Sequence, residues 1–194
     1  MEKELWWIYD SKSNNIPNSR KILGWIWNIV YLLFFKFTPH PLFNKWRVLI
    51  LKIFGAKIGK GVFISPRSFI FYPWNFEMGD KSAIDDYVFI KSTCKVVIGS
   101  YSSISNFVHI FPGGHDVRTR NFENNRLPIH IGNSVFIGAN SYIGRGVTIG
   151  DFTVIGACSV VLKNIPENVI AFGNPATIHS TRISKDEFIK YRYN

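Results

Sequence analysis

Cysteine is scarce, with only Cys94 and Cys158 in 194 residues. They lie far apart and neither has a partner at metal-ligand spacing, which excludes a disulfide framework or zinc module and predicts reduced core thiols in a cytoplasmic protein. Acidic side chains are scarce too: 13 stand against 23 Lys and Arg, a net charge of +10. The shortage is concentrated at one end, since residues 1–67 hold eleven basic and three acidic side chains, +8 of that total. A long apolar run is also missing. Ile22 to Phe35 is nearly all apolar but contains Asn28 and stops at Lys36, short of the roughly 20 residues that span a bilayer. Mixed polar and aromatic residues precede it and no small-residue cleavage site follows, so it does not read as a secretory signal and the chain is expected to stay inside the cell. Nucleic-acid binding is disfavoured, because the basic residues are interleaved with apolar runs and form no recognisable module.

What the chain has in abundance is period. Ile131-Gly132, Ile137-Gly138, Ile143-Gly144, Ile149-Gly150 and Ile155-Gly156 follow one another at six-residue steps, and Val161 continues the register. Four residues after each lead isoleucine stand Val135, Ser141, Val147, Thr153 and Ser159, small or β-branched as a tight strand corner requires. The same register runs through Ile58, Ile64 and Ile70, then Met78, Ile84 and Ile90, then Ile98, Ile104 and Ile110. A repeat this short makes each unit one rung of a solenoid. The pattern is broken briefly at residues 71–77 and at length at 111–130. It divides the chain into a basic, aromatic-rich, partly helical extension (1–57), a solenoid (58–165) with a protruding loop at 111–130, and a C-terminal segment (166–194). The length suits one domain with a single core.

Five of the six tryptophans precede residue 47, and two readings of that end stand side by side. Helices from about Ile22 and Phe43 would cap the open end of the solenoid, as repeat proteins require. The same segment would also suit a membrane face, with tryptophans at the interface and Lys and Arg drawn to anionic lipid.

Twenty residues without repeat character inside a regular solenoid point to function. That loop contains Pro112-Gly113-Gly114-His115-Asp116. An imidazole emerging from a rigid rung after two glycines is suited to take a proton from a hydroxyl near neutral pH; spacing alone fits an ordinary surface-loop histidine better, and both readings stand at this point. His109 and His130 precede hexad isoleucines, His40 lies between two prolines and His179 lies near the C-terminus; structural roles are expected for these four.

The hexads resemble those of the hexapeptide-repeat acyltransferases, whose chains wind as left-handed parallel β-helices with three hexads to a triangular coil. The resemblance implies that residues eighteen apart stack, Ile131 with Ile149, Ile137 with Ile155, Ser141 with Ser159 and Ala139 with Ala157, on rungs about 4.8 Å apart. It also implies that the glycines serve close turns or positive φ. In the maltose, galactoside and nodulation acetyltransferases a glycine-preceded histidine followed by an extended loop is the general base, here His115. The donor would be acetyl-CoA, a co-substrate with no metal, in a groove matching Ala139 and Ala157 with Lys163 at its end. The closing segment Gly173-Asn174-Pro175-Ala176 is similar to the family's, with Thr177 where a basic residue is usual and Arg182 as its substitute.

Thr38-Pro39-His40-Pro41, Trp46-Arg47, Phe54-Gly55-Ala56-Lys57-Ile58-Gly59 and Tyr72-Pro73-Trp74-Asn75 look like the colanic-acid-type polysaccharide acetyltransferases. That likeness implies O-acetylation of a sugar hydroxyl in surface-polysaccharide assembly, with direct transfer by His115. Asp85 and Asp86 are acceptor-binding candidates, because carboxylates accept hydrogen bonds from sugar hydroxyls, and Asp116 is a weaker candidate for orienting the imidazole. The family's sites lie between subunits, which implies a homotrimer. Two readings from other classes remain: a carbonic-anhydrase-like β-helix binding metal through His109, His115 and His130, and a solenoid serving only as a binding scaffold.

Overall fold

The computed structural model describes residues 18–184 together with Glu187 and Lys190; Trp6 and Trp7 of the aromatic end lie outside them. The hexads form a parallel β-solenoid with three faces. The first face stacks Lys57–Ile58, Phe76–Met78, Val96–Ile98, Ile129–Ile131 and Thr148–Ile149. The second stacks Phe63–Ile64, Ala83–Ile84, Ser103–Ile104, Phe136–Ile137, Val154–Ile155 and Val169–Gly173, with Ala176–Thr181 closing it antiparallel. Phe69–Ile70, Phe89–Ile90, His109–Ile110, Tyr142–Ile143 and Val160–Val161 make the third.

Each lead isoleucine points inward and is buried, so the core is an aliphatic column rather than a layer between two sheets. Ile131 pairs with Ile149, and Ile137 with Ile155, at the expected eighteen-residue step. Upstream, Ile58 pairs with Met78 and Met78 with Ile98, a step of twenty. A further short break between Ile90 and Ile98 accounts for the second interval, and there Ser92 closes the corner by bonding both the N–H and the carbonyl of Tyr72 at 3.0 Å.

Close approach and positive φ fall at different positions of the hexad, and Gly61 and Gly146, with φ of 67 and 73°, serve the second. Where a glycine follows the lead residue it marks close approach: a Cβ on Gly138 would lie 2.5 Å from the Ala157 nitrogen, and one on Gly150 2.4 Å from that of Glu167. Left-handed backbone instead falls three residues after the lead, where Lys81, Tyr87, Tyr101, Phe107, Ser134, Asn140, Phe152 and Cys158 have φ between 53 and 62°. Such a residue costs roughly 1–2 kcal/mol, a strain that the ladder bonds of the coils on either side hold in place. Their side chains point outward and stack with one another, Tyr87 on Phe107 with centroids 4.9 Å apart. Cys158 is therefore exposed at a corner and Cys94 half-buried; both are free thiols, but neither is the core thiol expected from the hexads.

Side chains reinforce the corners. Ser82 and Ser102 donate to the carbonyls of Gly99 and Gly132 at 2.8 Å. A second ladder passes from Lys60 N–H to Asp80, Asp80 N–H to Ser100, Ser100 N–H to Asn133 and Asn133 N–H to Asp151.

The open edge of the first coil is covered by α1 (Asn18–Val30), extended by a wider turn at Tyr31–Phe35, and by α2 (Asn44–Ile53). The Asn44 side-chain amide donates to the Val62 carbonyl and accepts from Ile64 N–H, satisfying an edge strand as a neighbouring strand would. Arg47, fully buried, donates to the Ile64 carbonyl at 2.8 Å and to Thr38 at 3.0 Å. Trp27 donates its indole N–H to the Ile70 carbonyl at 2.8 Å. The capping role expected of these helices is thus realised by named side chains. No helix among the described residues is long and apolar enough to cross a membrane.

Gly138 tests the close-approach argument, because the atoms a Cβ would meet are the backbone of Ala157. Gly138→Ala is expected to lower stability by about 1–3 kcal/mol, the usual cost of overpacking, seen as a lower midpoint in chemical denaturation.

Candidate active site

The long break leaves the third face after Ile110 and returns to the first face at Ile129. Within it Gly113–His115 and Asn124–Arg126 pair antiparallel, placing His115 opposite Asn124. The hairpin is tied to the solenoid where Leu127 N–H donates to the Pro112 carbonyl and Gly146 N–H to that of Leu127. The expected loop is therefore an ordered arm that carries His115 outward on a fixed base.

The His115 imidazole is exposed, and its Nδ1 lies 2.8 Å from the Phe122 carbonyl oxygen. A carbonyl only accepts, so Nδ1 carries the proton and the neutral ring keeps its lone pair on Nε2. That is the tautomer a general base needs. Arg145, from the corner of the adjacent coil, donates to the His115 carbonyl at 3.0 Å. Its guanidinium passes over Gly114, where a Cβ would come within 3.0 Å of Nη1, so the second glycine of the motif makes room for this clamp. The spacing of the histidine motif did not point to Arg145, which lies 30 residues downstream and reaches the arm only because the coils stack.

Asp116 does not orient the imidazole. Its carboxylate accepts from Arg118 N–H at 2.9 Å, and its backbone carbonyl accepts from the Thr119 hydroxyl, which shapes the turn of the arm.

Asp85 and Asp86 lie at the corner between the second and third faces, whereas His115 leaves the corner between the third and first. One chain does not bring the two sets together. The carboxylates form a cluster of their own: Asp86 accepts from the Ser65 hydroxyl and, at 2.8 Å, from Arg67. These bonds, the Ser65 hydroxyl foremost, hold Asp86 below the ordinary carboxylate range. Burial, aided by the Asp86 charge, pushes Asp85 up. His40 acts electrostatically on both and rests edge-on against Phe63 with centroids 4.9 Å apart. Its isolation between prolines in the sequence gave no sign of this association.

His109 faces outward in a row of rings on the third face, with Phe89 at 6.2 Å and Phe111 at 5.8 Å, and the row continues through Phe111 to Tyr142. His130 is exposed on the first face between Val97 and Thr148. His109, His115 and His130 therefore occupy three different surfaces, and among the described residues no group of three or more His, Cys, Asp or Glu is disposed to hold a metal ion.

Ala139 and Ala157 stack one coil apart at the corner between the second and third faces, the same corner as Asp85 and Asp86 in later coils, with Cys158 N–H donating to the Ala139 carbonyl at 2.8 Å. Ala157 and Lys163 are exposed. Asn174 lies exposed in the turn between the last two strands of the second face. Arg182 is half-buried and donates to the Ser134 carbonyl at 2.6 Å, so part of its guanidinium is already engaged on the solenoid. His179 stacks on Phe172 with centroids 3.5 Å apart, placing an aromatic pair beside this corner.

Comparison with known proteins adds to this geometry. Residues 128–163 match the family model "Bacterial transferase hexapeptide (six repeats)". The chain is 38% identical over 161 residues to the protein of Escherichia coli K12 named "Putative colanic acid biosynthesis acetyltransferase WcaF", covering 83% of this chain and 88% of that one. It is 35% identical over 149 residues to the galactoside O-acetyltransferase of the same organism, covering 72% and 70%. A solved structure of galactoside acetyltransferase in complex with coenzyme A superposes with a TM-score of 0.79 at 28% identity, covering 90% of this chain and 88% of that one.

The paired carboxylates give a measurable consequence. Asp86→Asn removes a like charge beside Asp85, so the Asp85 titration midpoint is expected to move down; carboxyl NMR titration reads it, and an unmoved midpoint would leave burial as the whole cause.

Proposed function

Because this chain belongs to the hexapeptide-repeat transferase family and its relatives are acetyltransferases, we propose that it transfers the acetyl group of acetyl-CoA to a sugar hydroxyl during assembly of a bacterial surface polysaccharide. The observation that carries this reading is the His115 imidazole, exposed on an ordered arm with Nδ1 held by the Phe122 carbonyl, the tautomer that leaves the basic lone pair on Nε2. Nε2 takes the proton of the acceptor hydroxyl as its oxygen attacks the thioester carbonyl. Backbone N–H groups of the groove stabilise the oxyanion of the tetrahedral intermediate. The C–S bond then breaks, and the proton on Nε2 passes to the coenzyme A thiolate.

The pantetheine arm runs along the corner of Ala139 and Ala157, whose small side chains let it approach the backbone, with Lys163, Asn174 and Arg182 toward its phosphate end. Asp85 and Asp86, with Arg67 and His40 around them, receive the acceptor's hydroxyls. Since the carboxylate corner and the histidine corner are separate on one chain, a complete site brings His115 of one subunit against the groove of a neighbour in a homotrimer. On this reading the enzyme works in the cytoplasm at the inner face of the membrane, on a precursor carried by membrane lipid.

Three measurements test this. Calorimetry with acetyl-CoA is expected to show binding by both the native protein and His115→Ala, while acetyl transfer to sugar acceptors falls by roughly 100- to 10,000-fold in the variant. Arg145→Ala, which frees the arm without removing the base, is expected to lower kcat and leave the KM for acetyl-CoA nearly unchanged; binding by neither protein would remove the donor. Light scattering is expected to give three times the chain mass, and a monomer would separate the two halves of the proposed site.

A further inference from the structure

Helix α1 is apolar on both sides. Gly24, Trp27 and Phe35 face the first coil and are buried, with Trp27 bonded to the Ile70 carbonyl and Tyr31 packed edge-on against Phe69 at 4.6 Å. The opposite stripe, Ile22, Trp25, Ile26, Ile29 and Leu33, recurs at helical spacing and is exposed, Trp25 at 75%. A helix apolar all round needs cover on both faces, and the solenoid supplies only one. Helix α2 repeats the arrangement: Arg47, Ile50 and Leu51 are buried, while Trp46, Leu49 and Ile53 are exposed, Ile53 at 71%. The two exposed stripes are joined where the Trp46 indole N–H donates to the Phe34 carbonyl at 2.9 Å, with Phe37 exposed beside them.

Charge tells which cover this surface takes. Arg20, Lys21, Lys36, Lys45 and Lys52 are exposed along the two helices, and no Asp or Glu occurs anywhere between residues 11 and 76. A second protein surface of ordinary composition finds no acidic group here to pair with its own basic residues. A sheet of anionic headgroups over hydrocarbon matches both features at once.

We propose that the outward stripes of α1 and α2 seat on an anionic lipid bilayer, with Trp25, Ile29, Leu33, Leu49 and Ile53 entering the headgroup boundary and Lys21, Lys36 and Lys52 meeting lipid phosphates. This deepens the membrane-face location given above and rests on that reading only for place. The solenoid caps stay in register on the inner side of the same helices, so seating on lipid requires no unfolding.

The test is co-sedimentation of the full chain with vesicles of phosphatidylcholine alone or mixed with phosphatidylglycerol. The native protein is expected to pellet with the mixed vesicles, to pellet several-fold less at high salt, and to stay largely in solution with phosphatidylcholine alone. Trp25→Glu with Ile29→Glu is expected to weaken binding tenfold or more while acetyl-CoA affinity is unchanged, since both side chains point away from the solenoid. Lys21→Glu with Lys36→Glu is expected to abolish the salt dependence. Native protein that remains in solution with the mixed vesicles overturns the proposal. So does a Trp25→Glu, Ile29→Glu variant that pellets as before but falls to a smaller assembly in light scattering, the result expected if a second copy covers the stripe. Vesicle binding is read without acetyl transfer, so its failure is distinct from failure of the enzymatic reading.

Discussion

The backbone ladder between successive coils is the constraint from which everything else follows. Most strands are only two residues long, too short to be stable singly, and each is held because its N–H and carbonyl groups meet those of the coils on either side. On the first face that spacing of about 4.8 Å leaves no room for a Cβ on the residue after each lead, which is why glycine recurs there at Gly59, Gly79, Gly99, Gly132 and Gly150. It also forces a sharp corner three residues after the lead, where ordinary residues accept left-handed backbone because both flanking strands are fixed. A solenoid built this way has two open ends, and the first is closed by Asn44, Arg47 and Trp27 bonding to backbone groups that a further coil would have taken.

The same rigidity makes the site. In the proposed site His115 stands on an arm whose two stems are stitched to the third and first faces, and its tautomer is set by a carbonyl seven residues away on that arm. Arg145 reaches it from the neighbouring coil. Neither the arm nor the clamp needs to fold on its own account, because the solenoid fixes the positions of both. The carboxylate cluster is built by the same logic at another corner, with Ser65 and Arg67 from one coil bonding Asp86 of the next.

The N-terminal helices carry two burdens. Their inner faces complete the solenoid, and their outer faces are apolar where a soluble cap would be polar. Capping and membrane seating, two separate readings of the same basic and aromatic composition, are therefore compatible on opposite sides of one helix.

The sequence by itself determined the hexad register, the inward column and the position of the arm, because a six-residue period with glycine leaves few ways for a chain to stack; the choice of His115 among the histidines rested on the family resemblance. It misplaced Cys158, whose hexad position looked like core but falls at an outward corner. The short break before Ile98 also passed unnoticed there, and with it the twenty-residue step of the early coils. What only the tertiary structure decided are contacts that no motif marks, at separations from seven residues to more than forty: Arg145 on the His115 carbonyl, His40 beside Asp85 and Asp86, Phe122 fixing the imidazole. The physical reason is that coil stacking converts sequence intervals of variable length, eighteen or twenty residues or the longer detour through the arm, into the same single-rung contact, and no local pattern records which interval was used.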